Sequence, residues 1–475
     1  MFEHCLPEEL GVDSRGIIGF LDEMRDKGLH LHNVMMLRHG KVMIDESFAP
    51  WSRDKKHMLF SLTKSFTSTA VGFAAQDGLL SVDDRLIDFF PEYLSNPPCE
   101  NMQKVTVKNL LTMNTGHEIE PEHPEHRVKN WEREFVRTYI EYEPGTHFLY
   151  NTYGTYMLSA IVQKVTGRKT MEYLREKLFE PLGMSEDFWT EESPSGIATG
   201  GHGLNIRIED IAKLGQFYLQ KGRWEGKQLL NEQWIQDAQT PWSDNSHWTG
   251  GPDWNSGYGY QFWMCQPEHV FRGDGACGQF CVICPDQDMV IAINSGVQDM
   301  AAILQSLWDH VLPAVDGECT GSAEAYRARL REIATPADWE EKGEKAAAPA
   351  LEKGWAGKYR LAGGNPLKLE SIELADGSVT LSDTCGRTNT VPLDPDAWQH
   401  VTLQPAFSGE AGYMDEVAVR AARVGDRLVV HLCYTSTPFE DVLRMRFTEH
   451  GIVISGHRNT GFGNNGDYEI IGYRN

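Results

Sequence analysis

Apolar residues switch between helical and strand spacing along the first two thirds of the chain. The N-terminal pattern predicts a helix over 14–27, then two strands over 33–37 and 41–48 joined by Arg38-His39-Gly40. After Ser61 come Ala70, Val71, Phe73, Ala74 and Ala75, with Gly78 as a stop signal. A helix apolar on nearly all sides belongs in a core. A turn at Pro144-Gly145 precedes Met157, Leu158, Ile161 and Val162 at helical spacing, which predicts a second buried helix. An amphipathic helix over 208–218, a strand-like stretch over 270–280 with a strand following over 281–286, a strand over 289–294 and a helix over 300–311 complete this region.

From about 316 to 353 the composition shifts to Ala, Glu and Lys with two short helical patterns, which reads as a linker. Beyond Trp355, short alternating strands over 367–374, 379–382, 417–420, 427–434 and 442–448 are separated by turn residues such as Gly425-Asp426. That spacing predicts a small β-sandwich or barrel. The chain therefore divides into a domain over 1–315, a linker with short helices over 316–353, and an all-β domain over 354–475. The second domain carries no nucleophile signature, and its Trp398 and Tyr434 are expected in its core.

The strongest chemical signal is Ser61-Leu62-Thr63-Lys64, at the mouth of the first buried helix. A spacing of three puts the lysine amine one turn above the serine hydroxyl on the same face. A partly desolvated lysine has its pKa lowered and can take the serine proton. Ser52-Arg53-Asp54-Lys55 has the same spacing, but it is charge-dense with no apolar run behind it. A second candidate, Tyr150, falls on the loop before the second buried helix, followed by Asn151 and Thr152. Taken alone, that tyrosine reads as a ring packed at a helix start.

With these elements in this order, the chain resembles the serine β-lactamase and penicillin-binding-protein-like hydrolases. The branch it is most similar to holds class C β-lactamases, family VIII esterases, D-aminopeptidases and 6-aminohexanoate-dimer hydrolases. The resemblance spans residues ~10 to ~315 and includes Gly78-Leu79-Leu80-Ser81-Val82-Asp83-Asp84 and the run from Val105 to His117. It implies an α+β fold: an antiparallel sheet flanked by helices, beside a helical region, with the site between them. It also implies Ser61 as nucleophile, Lys64 as base and Tyr150 as proton shuttle.

The chain departs from the family at two places. Thr152 stands where the pattern has asparagine, so a substrate-contacting amide is missing, displaced to Asn151, or replaced by the Thr152 hydroxyl. The third element, usually Lys-Thr-Gly or His-x-Gly, becomes Arg272-Gly273-Asp274-Gly275-Ala276-Cys277-Gly278. The alignment places Gly275 at the family glycine, where a substrate carbonyl can approach the backbone. It pairs the backbone N–H of Ala276 with that of Ser61 as an oxyanion hole; a slip of one or two residues moves that role to Cys277 or Asp274. Loss of the cation argues against substrates that present a carboxylate there, unless Arg272 restores the charge. Asp274 and Gly275 then line the substrate site. The segment Gly200-Gly201-His202-Gly203 resembles a cleft border, in which His202 lines the pocket or assists proton transfer, or packs at a glycine turn.

Composition narrows the partners. With 44 basic against 68 acidic residues the formal charge is −24, which repels nucleic acid and anionic membranes. No 18-residue apolar run predicts a membrane helix, and the N-terminus lacks a basic start and an apolar core, so a cytoplasmic location is expected. Nine scattered cysteines suggest reduced thiols. Cys281-x-x-Cys284 lies in a strand pattern and reads as structural, and His117, His123 and His126 fall in a proline-broken segment that reads as a solvated loop over the cleft. No metal and no cofactor is expected.

The reading is a serine hydrolase that cleaves an ester or amide of a small substrate through an acyl-enzyme on Ser61. A peptidase for D-amino-acid or cyclic-amide bonds and a non-catalytic ligand-binding relative are the alternatives, and self-association is compatible with either.

Overall fold

The computed structural model describes residues 2–94, 96–121, 128–334, 351, 354–375, 377–403, 416–463 and 465–474. His123 and His126 and most of the 335–353 stretch lie outside the described residues.

The first body is built on a six-stranded antiparallel sheet. Its strands are β1 (Leu31–Arg38), β2 (Lys41–Ser47), β3 (Trp263–Met264), β4 (Phe271–Gly275), β5 (Gln279–Cys284) and β6 (Met289–Ser295), in the order β2-β1-β6-β5-β4-β3. The first and last strands in sequence meet at the centre, with Val34 opposite Ile293. Side chains alternate faces along each strand. Met35, Leu37, Cys281 and Ile283 therefore enter one core, while Val34, Met36, Phe280, Val282 and Cys284 enter the other. Cys281 and Cys284, three apart, point to opposite faces and cannot converge.

Helices cover both faces. On one side lie α1 (Ser14–Asp26), α5 (Met300–Ser306) and α6 (Ala323–Ala334). The last is docked by the Tyr326 hydroxyl donating to Met43 O at 3.0 Å and by Arg329 on Asp22 at 2.6 Å. On the other lie α2 (Thr63–Gln76), α3 (Thr152–Thr166) and α4 (Ile208–Leu219). Every residue of α2 from Thr63 to Ala74 is buried, as its composition requires. This is the expected α+β arrangement.

The second body is one ten-stranded antiparallel sheet: β7 (Gly357–Leu361), β8 (Leu369–Ala375), β9 (Ser378–Asp383), β10 (Thr388–Pro392), β11 (Asp394–Thr402), β12 (Glu416–Val424), β13 (Arg427–Tyr434), β14 (Glu440–Phe447), β15 (Gly451–Arg458) and β16 (Gly466–Arg474). β16 pairs back onto β7, with Arg360 opposite Tyr473. The two end strands, β10 and β11, are consecutive in sequence, and Asn389 Nδ2 donates to Thr402 O across them at 2.7 Å. The result is a barrel, which leaves few exposed edges. Its interior is filled by Leu, Ile, Val and Tyr, with the ion pair of Arg458 and Asp441 buried at 2.8 Å.

The barrel packs directly on the first body. Met58 N donates to Ser436 O at 2.8 Å, and Asn459 Nδ2 donates to Gly296 O at 2.8 Å. Ala276 and Phe60 lie against the barrel's own hydrophobic core, which also includes Cys277.

Candidate active site

Ser61 sits in a single 3-10 turn, Phe60–Leu62, that runs straight into α2. Phe60 before it has φ 46°, a left-handed conformation that costs a bulky residue energy and persists only where its surroundings impose it. The turn is held by Leu59 N on Leu204 O at 2.9 Å, and by Leu204 N on the Thr63 hydroxyl at 3.2 Å.

One turn on, Lys64 is 1% exposed. Its Nζ stands 3.0 Å from Ser61 Oγ, 2.8 Å from Gly201 O and 3.3 Å from Thr152 Oγ1. Burial lowers its pKa to about 7, against the opposing pull of Glu120 and Asp274. A neutral amine has two hydrogens and one lone pair. The Gly201 carbonyl can only accept, so it takes one hydrogen; with the Thr152 hydroxyl accepting the second, the lone pair is available to the Ser61 hydroxyl.

Tyr150 lies over the same amine, its ring centroid 4.7 Å from Lys64 Nζ, and its hydroxyl faces Ser61. Burial pushes its phenol well above the usual range, so it is neutral at neutral pH. Trp263 stacks on its ring at 5.2 Å and Tyr258 meets it edge-on at 6.2 Å, which holds it in place.

Asn151 and Thr152 part company. Asn151 Oδ1 caps α3 by accepting from Gly154 N at 2.8 Å, and the residue is fully buried. The Thr152 hydroxyl is the group beside Lys64, and Thr152 N donates to the carboxylate of the exposed Glu120 at 2.6 Å. Glu120 had no sequence signal beyond its place in an acidic loop. His117 of that loop is not solvated: it is buried and bonded at 2.8 Å to Thr115 and at 2.8 Å to Thr138.

The glycine segment passes between α2 and α3. A Cβ on Gly200 would lie 2.6 Å from Ser159 Cβ, and one on Gly201 2.8 Å from Thr152 O. The side chain of His202 is half-buried and pairs with Glu191 at 3.1 Å; it is the backbone of its neighbour Gly201 that reaches Lys64.

β4 forms the facing wall. Gly273 and Gly275 turn toward the Ser61 turn, where a Cβ on Gly273 would lie 2.4 Å from Ser65 Oγ and one on Gly275 3.1 Å from Leu62 N. Ala276 follows in the hairpin turn next to them. Arg272 and Asp274 share the opposite face and pair at 2.9 Å. Arg272 Nη1 also donates to Asp253 O at 2.6 Å, and its guanidinium lies 4.5 Å over Trp254. That cation is occupied within the protein. Among the described residues no cluster of three or more His, Cys, Asp or Glu can hold a metal ion, and no helix is long and apolar enough to cross a membrane.

An antiparallel sheet between helical layers, with a serine and a lysine at the mouth of a buried helix facing a glycine-bearing strand, is the architecture of the serine β-lactamase-like proteins. The sequence model of the Beta-lactamase family matches residues 21–348, and the chain belongs to that family. A 6-aminohexanoate-dimer hydrolase from Paenarthrobacter ureafaciens is 23% identical over 290 residues, covering 56% of this chain and 72% of that protein. Lovastatin esterase from Penicillium rubens is 28% identical over 164 residues, 29% of this chain and 40% of the esterase. Protein flp from Staphylococcus aureus (strain MW2) is 25% identical over 166 residues, 32% of this chain and only 33% of that relative's length. Among solved structures, a family VIII carboxylesterase gives a TM-score of 0.50 at 18% identity, covering 70% of this chain and 98% of that one. A penicillin-binding protein homologue from Caulobacter crescentus gives 0.50 at 17%, covering 62% and 98%. These two share the fold.

Proposed function

We propose that the protein is a serine hydrolase that cleaves an ester or amide of a small substrate through an acyl-enzyme on Ser61. The observation that carries this is the Lys64 amine, buried, lowered to about 7, and 3.0 Å from Ser61 Oγ with its other two partners already assigned. Neutral Lys64 takes the Ser61 proton as Oγ bonds to the substrate carbonyl carbon. The carbonyl oxygen becomes an oxyanion, held by the backbone N–H groups of Ser61 and Ala276. The bond to the leaving group then breaks. The leaving group takes a proton from the Lys64 ammonium through the neutral Tyr150 hydroxyl. Water attacks the acyl carbonyl by the same route and gives its proton to Lys64; the bond from the acyl carbon to Ser61 Oγ then breaks, Oγ takes the proton back from Lys64, and the acid is released.

Thr152 holds the amine in place and Gly275 borders the substrate, while Asp274 is paired with Arg272 on the opposite face of β4, the Asn151 amide caps α3 and the His202 side chain is paired with Glu191. A penicillin carboxylate gains nothing from Arg272, whose charge is spent on Asp274. The exposed Glu120 carboxylate, at the N-terminus of α3, favours a second form of this reading, a substrate that carries an amine, as a D-amino-acid peptidase would meet.

Intact-mass spectrometry after treatment with a fluorophosphonate tests the proposal. A single adduct on the wild type, absent in Ser61→Ala, slowed in Lys64→Ala and matched by turnover of p-nitrophenyl acetate, is expected. An unlabelled, inactive wild type would instead mark a ligand-binding relative.

A further inference from the structure

Resting on that reading, we propose that the barrel supplies one wall of the active site: Phe462 is a specificity-determining residue that contacts an apolar alkyl or aryl group of the substrate beside Ser61. Residues 459–465 connect β15 to β16, and 459–463 of this loop reach from the barrel to Phe60, in the turn that carries Ser61. Phe462 meets Phe60, the residue before the nucleophile, edge to face at 5.4 Å between ring centroids. The residue is nevertheless 69% exposed, so much of its apolar surface is open to solvent next to the residue that precedes Ser61. An aromatic ring held at one edge and left wet on the other is an apolar surface waiting to be covered.

The loop is anchored rather than draped. The Thr460 hydroxyl is 3.3 Å from Cys277 Sγ and 3.1 Å from Gln298 Oε1. Cys277 is the residue after Ala276 in the β4–β5 turn. Asn459 bonds Gly296 O of the first body and Pro438 O of the barrel, each at 2.8 Å. The tip that carries Phe462 is thus tied to the turn that holds Ala276 on one side and to Phe60 on the other.

The same contacts explain how Phe60 keeps its left-handed backbone. Its ring sits between Phe462 and Phe439, the latter buried in the barrel core at 6.2 Å. Strain of this kind survives only when surrounding packing over-determines it. Phe439 thus backs the Phe60 ring from the barrel side.

The test uses two fluorophosphonates, one with a methyl and one with an octyl substituent on phosphorus, and the full-length chain. In each, Ser61 Oγ bonds to phosphorus, fluoride leaves and the hydroxyl proton passes to Lys64. The octyl-to-methyl ratio of labelling rates, read by intact mass, is expected to fall about tenfold in Phe462→Ala. It is expected to be largely rescued in Phe462→Leu, which restores an apolar contact but not a ring. Because Phe462 is exposed, its truncation opens no core cavity, and Thr460→Val, which releases the anchor while keeping Phe462, is expected to lower the ratio in the same direction. A wild type labelled by both probes with the ratio unchanged in all three variants would overturn the wall while leaving the nucleophile in place. A wild type labelled by neither probe would overturn the hydrolase reading itself, and the wall with it.

Discussion

Gly275 approaches Leu59 so closely that a Cβ built on it would fall 1.9 Å from the Leu59 carbonyl oxygen. The obstacle is backbone, so no side chain can move aside. Gly275→Ala must push β4 away from the turn that carries Ser61, separating the two amides proposed to hold the oxyanion. The expected result is a loss of p-nitrophenyl acetate turnover of more than about 100-fold, with about 1–3 kcal/mol of lost stability in denaturant unfolding. A variant with near-native turnover would show that the wall of β4 takes no part in the chemistry.

On the proposed mechanism the protonation of Lys64 sets the pH dependence. The amine acts as base only when neutral, and burial lowers its pKa to about 7, so kcat/KM should rise with pH through about 7 and level off above it. Glu120 is a nearby negative charge that favours the ammonium. Removing it in Glu120→Gln lowers the Lys64 pKa further and should move the rising limb to lower pH. A pH–rate profile of the two proteins decides this; a limb that stays in place would separate Glu120 from Lys64, and a shift upward would mean that another group carries the titration.

The pairing of Ser61 with Lys64 is legible in the sequence because it is local, one helical turn with a buried helix behind it. The largely apolar runs that build β1, β5 and β6, buried on both faces, are equally local, and their strands fall close to the expected spans. What is missing from the sequence is what comes from distance. The Gly201 carbonyl, 137 positions from Lys64, has no signature, since any residue supplies a carbonyl. Asn151 is diverted by a local bond to Gly154 N, the competition between side chain and backbone that makes asparagine a cap. In the second body, β11 opens on Asp394 and Pro395, residues depleted from strands, and it escapes a pattern search. The closure of the barrel depends on β16 returning to β7, a pairing that no short window contains. Sandwich and barrel have the same strand pattern, and only that return separates them.

Holding an amine in the interior has a cost to stability that can be read directly. Lys64 titrates near 10.5 when the chain is unfolded and at about 7 when folded. Below pH 7 both states carry the proton and the full penalty of a buried charge is present. Between about 7 and 10.5 the unfolded state binds more protons, so stability rises with pH. Lys64→Met keeps the volume and removes the charge. It should therefore be inactive yet more stable than the wild type, by several kcal/mol at the order-of-magnitude level at pH 6. The advantage should shrink as pH climbs toward 10.5. Chemical denaturation at a series of pH values measures it; a gain in the Lys64→Met variant that does not vary with pH would place the altered pKa elsewhere.

A second titrating contact ties the two bodies together. His30, just before β1, bonds the Glu440 carboxylate at the start of β14, and Glu440 N donates to Asn459 Oδ1 at 2.9 Å, at the root of the Phe462 loop. The carboxylate raises the His30 pKa, and the imidazolium helps hold Glu440 below its ordinary value against its burial. For a raised histidine the stabilisation is complete below the unfolded value of about 6.5 and is lost as pH rises through the folded pKa. For a lowered carboxylate it is present above the unfolded value and is lost as pH falls through the folded one. The contact is therefore strongest in a window just below neutrality. The His30 ring is half exposed, so solvent screening keeps its contribution modest. Glu440→Gln should lower the Tm at pH 6 and differ less from the wild type at pH 9, while a Tm deficit that grows with pH would mean that the pair is not what joins the barrel to β1. Because Asn459 hangs from the same strand end, the octyl-to-methyl labelling ratio should also drift in this variant at pH 6, which connects the docking of the barrel to the shape of the cleft it borders.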